Sequence, residues 1–299
     1  MLDIALTQSP AHVRHGSNMG QPLARRDGIL KVTGAARYAA DNHPAGMLYA
    51  VLAVSSIARG RVTFLDVAAA KAHRGVIEVM TPANKPPLAE DPDAKTNPFM
   101  FRLDVLQNDR VRYAHQPIAV VIAETLEAAT EGAALLSPSY EVEPPRIGLD
   151  AAKSFAPQVV GPGFPAAVHH GDVEGGLAAA SKQIAVTYET APQYHNPMEP
   201  HAIVAAWNGD ELSIDTPSQG LIMAQGRIAG LFGIVPEKIH IRSPFLGGGF
   251  GCKGFIAGPQ VLGRPDGRTA GQTRSAPRAD VWSNWTPRRD AADLASGCR

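Results

Sequence analysis

At 299 residues, 44% apolar and 19% charged, the chain is long enough to bury a sizeable core and to form about two domains. Lys plus Arg equals Asp plus Glu at 28 each, and no basic stripe interleaved with aromatics is present, which excludes the electrostatic footprint of a nucleic-acid binder. No apolar run reaches the roughly 18 residues of a membrane span, and the composition is that of a soluble globular protein. Two cysteines, Cys252 and Cys298, are too few for a disulfide framework and have no metal-ligand spacing between them, so they do not indicate a compartment.

Residues 1–20 have neither periodicity nor an apolar face, and a flexible N-terminal arm is expected there. Arg25-Arg26 has the look of a twin-arginine export signal, but Val32-Thr33-Gly34-Ala35-Ala36-Arg37-Tyr38 does not continue into the apolar stretch of about 7 to 15 residues that such a signal needs. From about 21 to 150 strand-like and helix-like segments alternate. Met47–Ser55 and Val76–Thr81 read as strands, with the alanine-rich Val67–His73 between them. Pro117–Ala123 is apolar throughout and reads as a buried strand. Thr125 then caps a helix, and Tyr140-Glu141-Val142 reads as the next strand. The pattern predicts a mixed α/β domain whose strands are packing material with no catalytic role.

Glu143-Pro144-Pro145 and the polar, Pro/Gly-bearing run to Gly171 predict a linker, centred on 151–171. A second region follows from about 172 to 262. Ile184, Val186 and Tyr188 alternate within Gln183–Thr190, which predicts a half-buried strand. His201–Trp207 and Glu211–Asp215 flank Asn208-Gly209-Asp210, and Asn-Gly predicts a hairpin because both central residues of its turn need positive φ. Ser218 is placed to cap a helix running to about Phe232, with Leu221, Ala224, Ile228, Leu231 and Phe232 on one face, Gly233 as its stop and Gln219 in its first turn.

The most informative stretch is Ile241-Arg242-Ser243-Pro244-Phe245-Leu246-Gly247-Gly248-Gly249-Phe250-Gly251-Cys252-Lys253-Gly254, a strand-like run opening into four glycines around one phenylalanine. Residues without Cβ let successive N–H groups turn toward one concave point, and such a nest receives anionic or oxo atoms. Gly249 to Gly254 also fits the G-x-G-x-x-G spacing of a dinucleotide site, but no clear βαβ unit follows, and Asp266 falls well short of the roughly 20-residue spacing of a ribose-binding acid. A phosphate loop is excluded, because Cys252 precedes Lys253 and Gly254 follows it, where a glycine and a hydroxyl residue are required. Taken alone, the loop favours a tight turn between core elements over a binding site. Upstream, two prolines stiffen His195-Asn196-Pro197-Met198-Glu199-Pro200-His201, so its carboxylate and imidazoles hold fixed directions.

Together, the His195–His201 segment, Gln219 and the glycine loop, in that order and spacing, resemble the molybdenum-binding subunit of the xanthine dehydrogenase and aldehyde oxidase family, in its aldehyde-oxidoreductase-like branch. The resemblance runs from about Gln21 to Leu262, through Asp27-Gly28, Lys31-Val32-Thr33-Gly34 and Gln116-Pro117-Ile118-Ala119-Val120-Val121. It implies an α/β (α+β) fold, with a hammerhead-like α/β domain over 21–150 followed by part of a molybdopterin-binding α+β domain over 172–262. By the same resemblance Gly247, Gly248, Gly249, Phe250 and Gly251 lie against a molybdenum-molybdopterin cofactor, and Gln219 donates to an oxo ligand of the metal. His195, Glu199 and His201 either support that pocket through hydrogen bonds or form an internal polar network. The supporting role is favoured, and no side chain is expected to ligate the metal.

The implied chemistry is oxidative hydroxylation of aldehydes or N-heterocycles with water as oxygen source, with electrons leaving through iron-sulfur clusters and FAD on partner subunits. Purine-oxidising members resemble Gly-Gly-Gly-Phe-Gly-Gly-Lys-Glu at this loop, whereas Gly254 stands at the last position here; without that acid, aldehydes are the expected substrates. The family's general-base glutamate lies beyond the resemblance, so no catalytic residue is assigned. Residues 263–299 hold seven Arg and no Lys, with Val281 and Leu294 as the only branched aliphatic residues. That composition predicts a disordered or frameshifted tail and negligible turnover by the chain alone. The remaining alternatives are a dinucleotide-binding oxidoreductase using the 249–254 loop and a non-catalytic remnant that docks on partners. The cytoplasm, or the periplasm by way of a partner-borne signal, are the compartments expected.

Overall fold

The computed structural model describes residues 22, 24–85, 88–89, 106–145, 158–160, 164–191 and 193–254, together with the backbone of 274–276. The 1–20 arm, Phe255–Leu262 and most of the 263–299 tail lie outside the described residues. The chain divides into a unit ending at Arg37 and a second from Tyr38 onward. In the first, helix α1 (Gly28–Val32) is one short turn: Lys31 pairs with Asp27 one turn back at 2.7 Å, and the Thr33 hydroxyl donates to the Ile29 carbonyl at 2.7 Å.

The second unit is organised by two sheets. Strand β1 (Leu48–Val54) runs antiparallel to β5 (Pro117–Ala123), which on its other side pairs antiparallel with β3 (Val76–Met80). All seven residues of β5 are buried, as expected of a strand covered on both faces. Its proline sits at the first position, where a missing N–H costs no internal ladder bond. Helix α2 (Ala68–Ala72) inserts the fully buried Ala70 beside Val79 and Val121. Helix α3 (Leu126–Ala134) packs Ala128 and Ala129 on Val51 and Ala123, and the Thr125 hydroxyl accepts the Ala128 N–H at 3.1 Å, as anticipated.

Strand β2 (Gly60–Asp66), which the periodicity does not reveal, forms a separate three-stranded sheet between β4 (Arg110–Val111) and β6 (Ser137–Val142). Only Arg61 to Phe64 alternates polar with apolar before Phe64-Leu65 breaks the period, and most of β2 is exposed or half-buried, so no sustained apolar pattern marks it in sequence. Within the stretch expected to be a linker, β7 (Val159–Val160) and β8 (Phe164–Pro165) make a small antiparallel ribbon. Helix α4 (Val173–Ala179) follows, capped by the Asp172 carboxylate on the Gly175 N–H at 2.9 Å.

The hairpin of β9 (Ile203–Asn208) and β10 (Glu211–Asp215) forms as predicted, but its turn is displaced by one residue. Asn208 pairs with Glu211, leaving Gly209 and Asp210 in the loop, and only Gly209, at φ +62°, takes a left-handed conformation. This is the arrangement of the two-residue turns that place glycine first. Helix α5 (Leu221–Phe232) crosses from β10 to the parallel strand β11 (Ile239–Arg242) and ends at Gly233, φ +64°. Ala224, Ile228 and Leu231 face Ile203, Leu212, Ile214 and Ile239 across the core, while Leu221 is exposed. Across β10 and β11, Arg242 grips Asp215 with two bonds of 2.7 and 2.8 Å. Backbone residues 274–276 form β12, placed between β9 and β1, and complete a sheet of order β11-β10-β9-β12-β1-β5-β3.

Two expectations need correction. Gln183–Thr190 forms no strand: Ile184, Val186 and Tyr188 are 88%, 60% and 88% exposed. Alternation becomes a half-buried strand only against a sheet edge, and none among the described residues pairs with it. Gln219 is also not helical. Gly220 is the N-cap of α5, and the Ser218 hydroxyl accepts only the Gly220 N–H, at 3.0 Å, so Gln219 lies at a bend in the connection before the helix.

Candidate functional site

The structure brings all nine sequence-selected residues to one place. Glu199 lies under the glycine loop at 7% exposure, and its main chain and side chain both engage Gly247: the Glu199 N–H donates to the Gly247 carbonyl at 3.0 Å, and the Gly247 N–H donates to Glu199 Oε2 at 2.8 Å. A Cβ on Gly247 would fall 2.5 Å from the Glu199 Cβ, so glycine is required here by close packing. Pro197 packs beside Gly248, and the exposed His195 ring lies against Gly251. His201 is half-buried, with Nε2 at 3.5 Å from the Cys252 sulfur, and the Cys252 thiol donates to the Gly249 carbonyl at 2.9 Å.

Gln219 is held from both ends. Its N–H donates to the Lys253 carbonyl at 2.8 Å, while its Oε1 accepts the N–H groups of Gly251 at 3.0 Å and Lys253 at 3.3 Å. Two main-chain donors on one amide oxygen fix which end of the side chain is oxygen. The Nε2 donors are therefore left over on an exposed side chain, with no partner among the described residues. The loop passes through left-handed conformations at Gly248 (φ +91°), Phe250 (φ +52°) and Gly251 (φ +101°). The N–H groups of Gly248, Gly249 and Phe250 have no partner among the described residues, whereas those of Gly247, Gly251, Cys252, Lys253 and Gly254 all bond within the protein. Three consecutive unused main-chain donors beside an outward amide fit an acceptor-rich ligand such as a molybdenum-pterin group.

The electrostatics under the loop were not legible beforehand. Lys253 is 1% exposed, and its ammonium donates to the Glu199 carbonyl at 2.8 Å and to Glu199 Oε2 at 3.0 Å. Burial, then the Lys253 charge, then His195, push the His201 imidazole down to about 4, so it is neutral at pH 7. Burial raises the Cys252 thiol, with Lys253 and a backbone bond opposing, so Cys252 is not an activated nucleophile. His195, Glu199 and His201 do not form a ligand set, since Glu199 is engaged by Lys253 and Gly247 while His201 faces Cys252. The signal that could have found Lys253 is its place directly after the loop, as the one cation between Arg242 and Arg264. A cavity of about 470 Å³ opens elsewhere, among Asn42, His43, Tyr49, Glu124 and Ile203, and includes no residue of the loop.

As for the alternative dinucleotide reading, among the described residues the loop runs through turns closed by Cys252 N–H to Gly249 O and Gly254 N–H to Gly251 O, and opens no helix. A phosphate site of that kind needs a helix N-terminus.

Residues 33–144 match the aldehyde oxidase and xanthine dehydrogenase a/b hammerhead domain, and residues 157–262 match the molybdopterin cofactor-binding domain. The chain belongs to the xanthine dehydrogenase and aldehyde oxidase family of molybdenum-binding subunits, with the mixed α/β fold that its sequence implied. Among curated proteins it is 35% identical over 246 residues to the aldehyde oxidoreductase molybdenum-binding subunit PaoC of Escherichia coli (strain K12), covering 82% of this chain and 32% of PaoC. It is 26% identical over 262 residues to the nicotine 6-hydroxylase large subunit of Paenarthrobacter nicotinovorans, covering 82% of this chain and 31% of that protein. Among solved structures, quinoline 2-oxidoreductase from Pseudomonas putida 86 superposes with a TM-score of 0.68 at 24% identity, over 85% of this chain and 34% of that one. The chain thus spans about a third of the length of these relatives.

Proposed function

We propose that this chain forms one wall of a molybdenum-molybdopterin site in an enzyme that oxidatively hydroxylates aldehydes. The observation that carries the reading is the row of unused N–H donors at Gly248, Gly249 and Phe250, set beside a Gln219 amide whose oxygen is already committed. When bound, the molybdenum-pterin group supplies the two-electron oxidation and the transfer of a water-derived oxygen to carbon. The chain's own contribution is to bind and polarise. Main-chain donors and the Gln219 NH2 present fixed positive dipoles to oxygen atoms that carry negative charge, at no cost in reorganisation. Neutral His201 and the self-compensated Lys253–Glu199 pair leave these dipoles as the dominant field at the loop.

Aldehydes are preferred over purines because Gly254 offers no carboxylate to a ring N–H, and the likeness to an aldehyde oxidoreductase subunit supports the same choice. Such an enzyme passes electrons onward, so iron-sulfur and FAD subunits are the proposed partners. Expression in a host that makes the cofactor, followed by metal analysis, pterin release and an aldehyde-oxidation assay with the companion subunits, tests the reading. Bound molybdenum and pterin that fall at least tenfold in a Gly248→Val variant are expected. A wild-type chain that folds yet carries neither, with or without those subunits, refutes it.

A further inference from the structure

Lys253 was given no role by its sequence, yet three segments meet on it. Its side chain reaches 54 positions back to Glu199, its carbonyl accepts the Gln219 N–H, and its own N–H donates to Gln219 Oε1. We propose that Lys253 is a positioning residue: its buried ammonium, clamped on Glu199, holds the 247–254 turn down so that Gln219 is locked with its oxygen inward and its NH2 outward. The proposal rests on the reading of Gln219 and the loop as a cofactor wall.

Stability alone does not account for the pair. Taking an ammonium and a carboxylate out of water is costly, and apolar side chains of similar volume commonly serve a core as well or better. This pair is not even fully satisfied. Among the described residues Glu199 Oε1 has no partner, and only two acceptors lie within reach of the three ammonium hydrogens. What the pair supplies and an apolar pair lacks is direction. The ammonium must sit where the Glu199 carbonyl and carboxylate are, and that sets the height of the Lys253 backbone against Gln219. An apolar residue at 253 would fill the same space while letting the turn slide.

The test uses the full chain without cofactor, so its outcome is separable from cofactor loading. Lys253→Met alone strands a buried carboxylate and is expected to lower the melting temperature. The double variant Lys253→Met/Glu199→Gln removes both charges, and its melting temperature is expected to return to within a few degrees of wild type. Amide hydrogen exchange at Gly251 and at position 253 is nonetheless expected to be at least tenfold faster than in wild type, with the Gln219 side-chain NH2 resonances displaced. If the double variant recovers stability and also keeps wild-type protection at both amides, Lys253 is only a packing residue and the proposal is overturned. Failure of both variants to fold also overturns it, because a latch confined to the loop is not needed for the global fold. A wild-type chain that shows the latch but never binds molybdenum or pterin would sink the cofactor reading and leave the latch standing.

Discussion

Gly247→Ala offers the sharpest check on how the loop is held. The new methyl would lie 2.5 Å from the Glu199 Cβ, 3.3 Å from its N and 3.4 Å from its Cα, where carbon atoms normally approach to about 3.5–4.0 Å. Glu199 cannot retreat: it is buried, its carboxylate and carbonyl are both held by the Lys253 ammonium, and its two prolines, Pro197 and Pro200, stiffen the segment. The loop must therefore lift by about 1 Å. That breaks the Gly247 N–H bond to Glu199 Oε2 and the Glu199 N–H bond to the Gly247 carbonyl. A bond to a charged acceptor is worth roughly 1.5–3 kcal/mol and a neutral one roughly 0.5–1.5 kcal/mol. The expected loss is about 3 kcal/mol, a fall in melting temperature of roughly 6–12 °C for a domain of this size. Urea unfolding followed by far-UV circular dichroism measures it. A loss below about 1 kcal/mol would mean that the 2.5 Å approach is not rigid, and the account of the loop would fail with it.

Gly249→Ala should cost less, about 1–2 kcal/mol. Its methyl meets the exposed Gln219 side chain, which can swing aside with the loss of its bonds from Gly251 and Lys253, and faster amide exchange at those two positions is the readout. His201, held at about 4 against an ordinary 6.5, gains protons on unfolding in that interval, so stability is full above about pH 6.5 and declines as pH falls toward 4. The gap corresponds to at most roughly 3 kcal/mol, reduced by the solvent that reaches a half-buried ring. NMR titration of its Cε1 proton, with melts from pH 4 to 7 in wild type and a His201→Asn variant, checks both the midpoint and the slope. Thr125→Ala removes the cap on the Ala128 N–H and should lower stability by about 1 kcal/mol in a urea titration, while leaving amide exchange at Gly251 unchanged.

Legibility followed the range of the forces involved. Local devices were readable: the apolar run of β5, the hydroxyl cap at Thr125, the Gly233 stop of α5 and the hairpin from β9 to β10 all depend on neighbours within a few residues. Features needing a distant partner were not. The Gln183–Thr190 alternation looks like a strand and finds no edge among the described residues, whereas β2, with only a short alternation and most of its residues at least partly exposed, is held by β4 and β6. Even the hairpin turn moved from Asn-Gly to Gly-Asp, because the register of Asn208 on Glu211 decides which residues are left to turn.

At the site the division is similar. The chain carries a proline-stiffened His/Glu segment, a glutamine and a glycine-rich loop in that order, and the resemblance of this order to the family's motifs implied that the three belong together; by themselves the prolines only stiffen their segment and the glycines only free theirs. Only the tertiary structure decided which of their groups are used up and which face outward. That depends on Lys253 closing on Glu199 and on two loop amides choosing the oxygen of Gln219, contacts between residues more than thirty positions apart that no local pattern encodes.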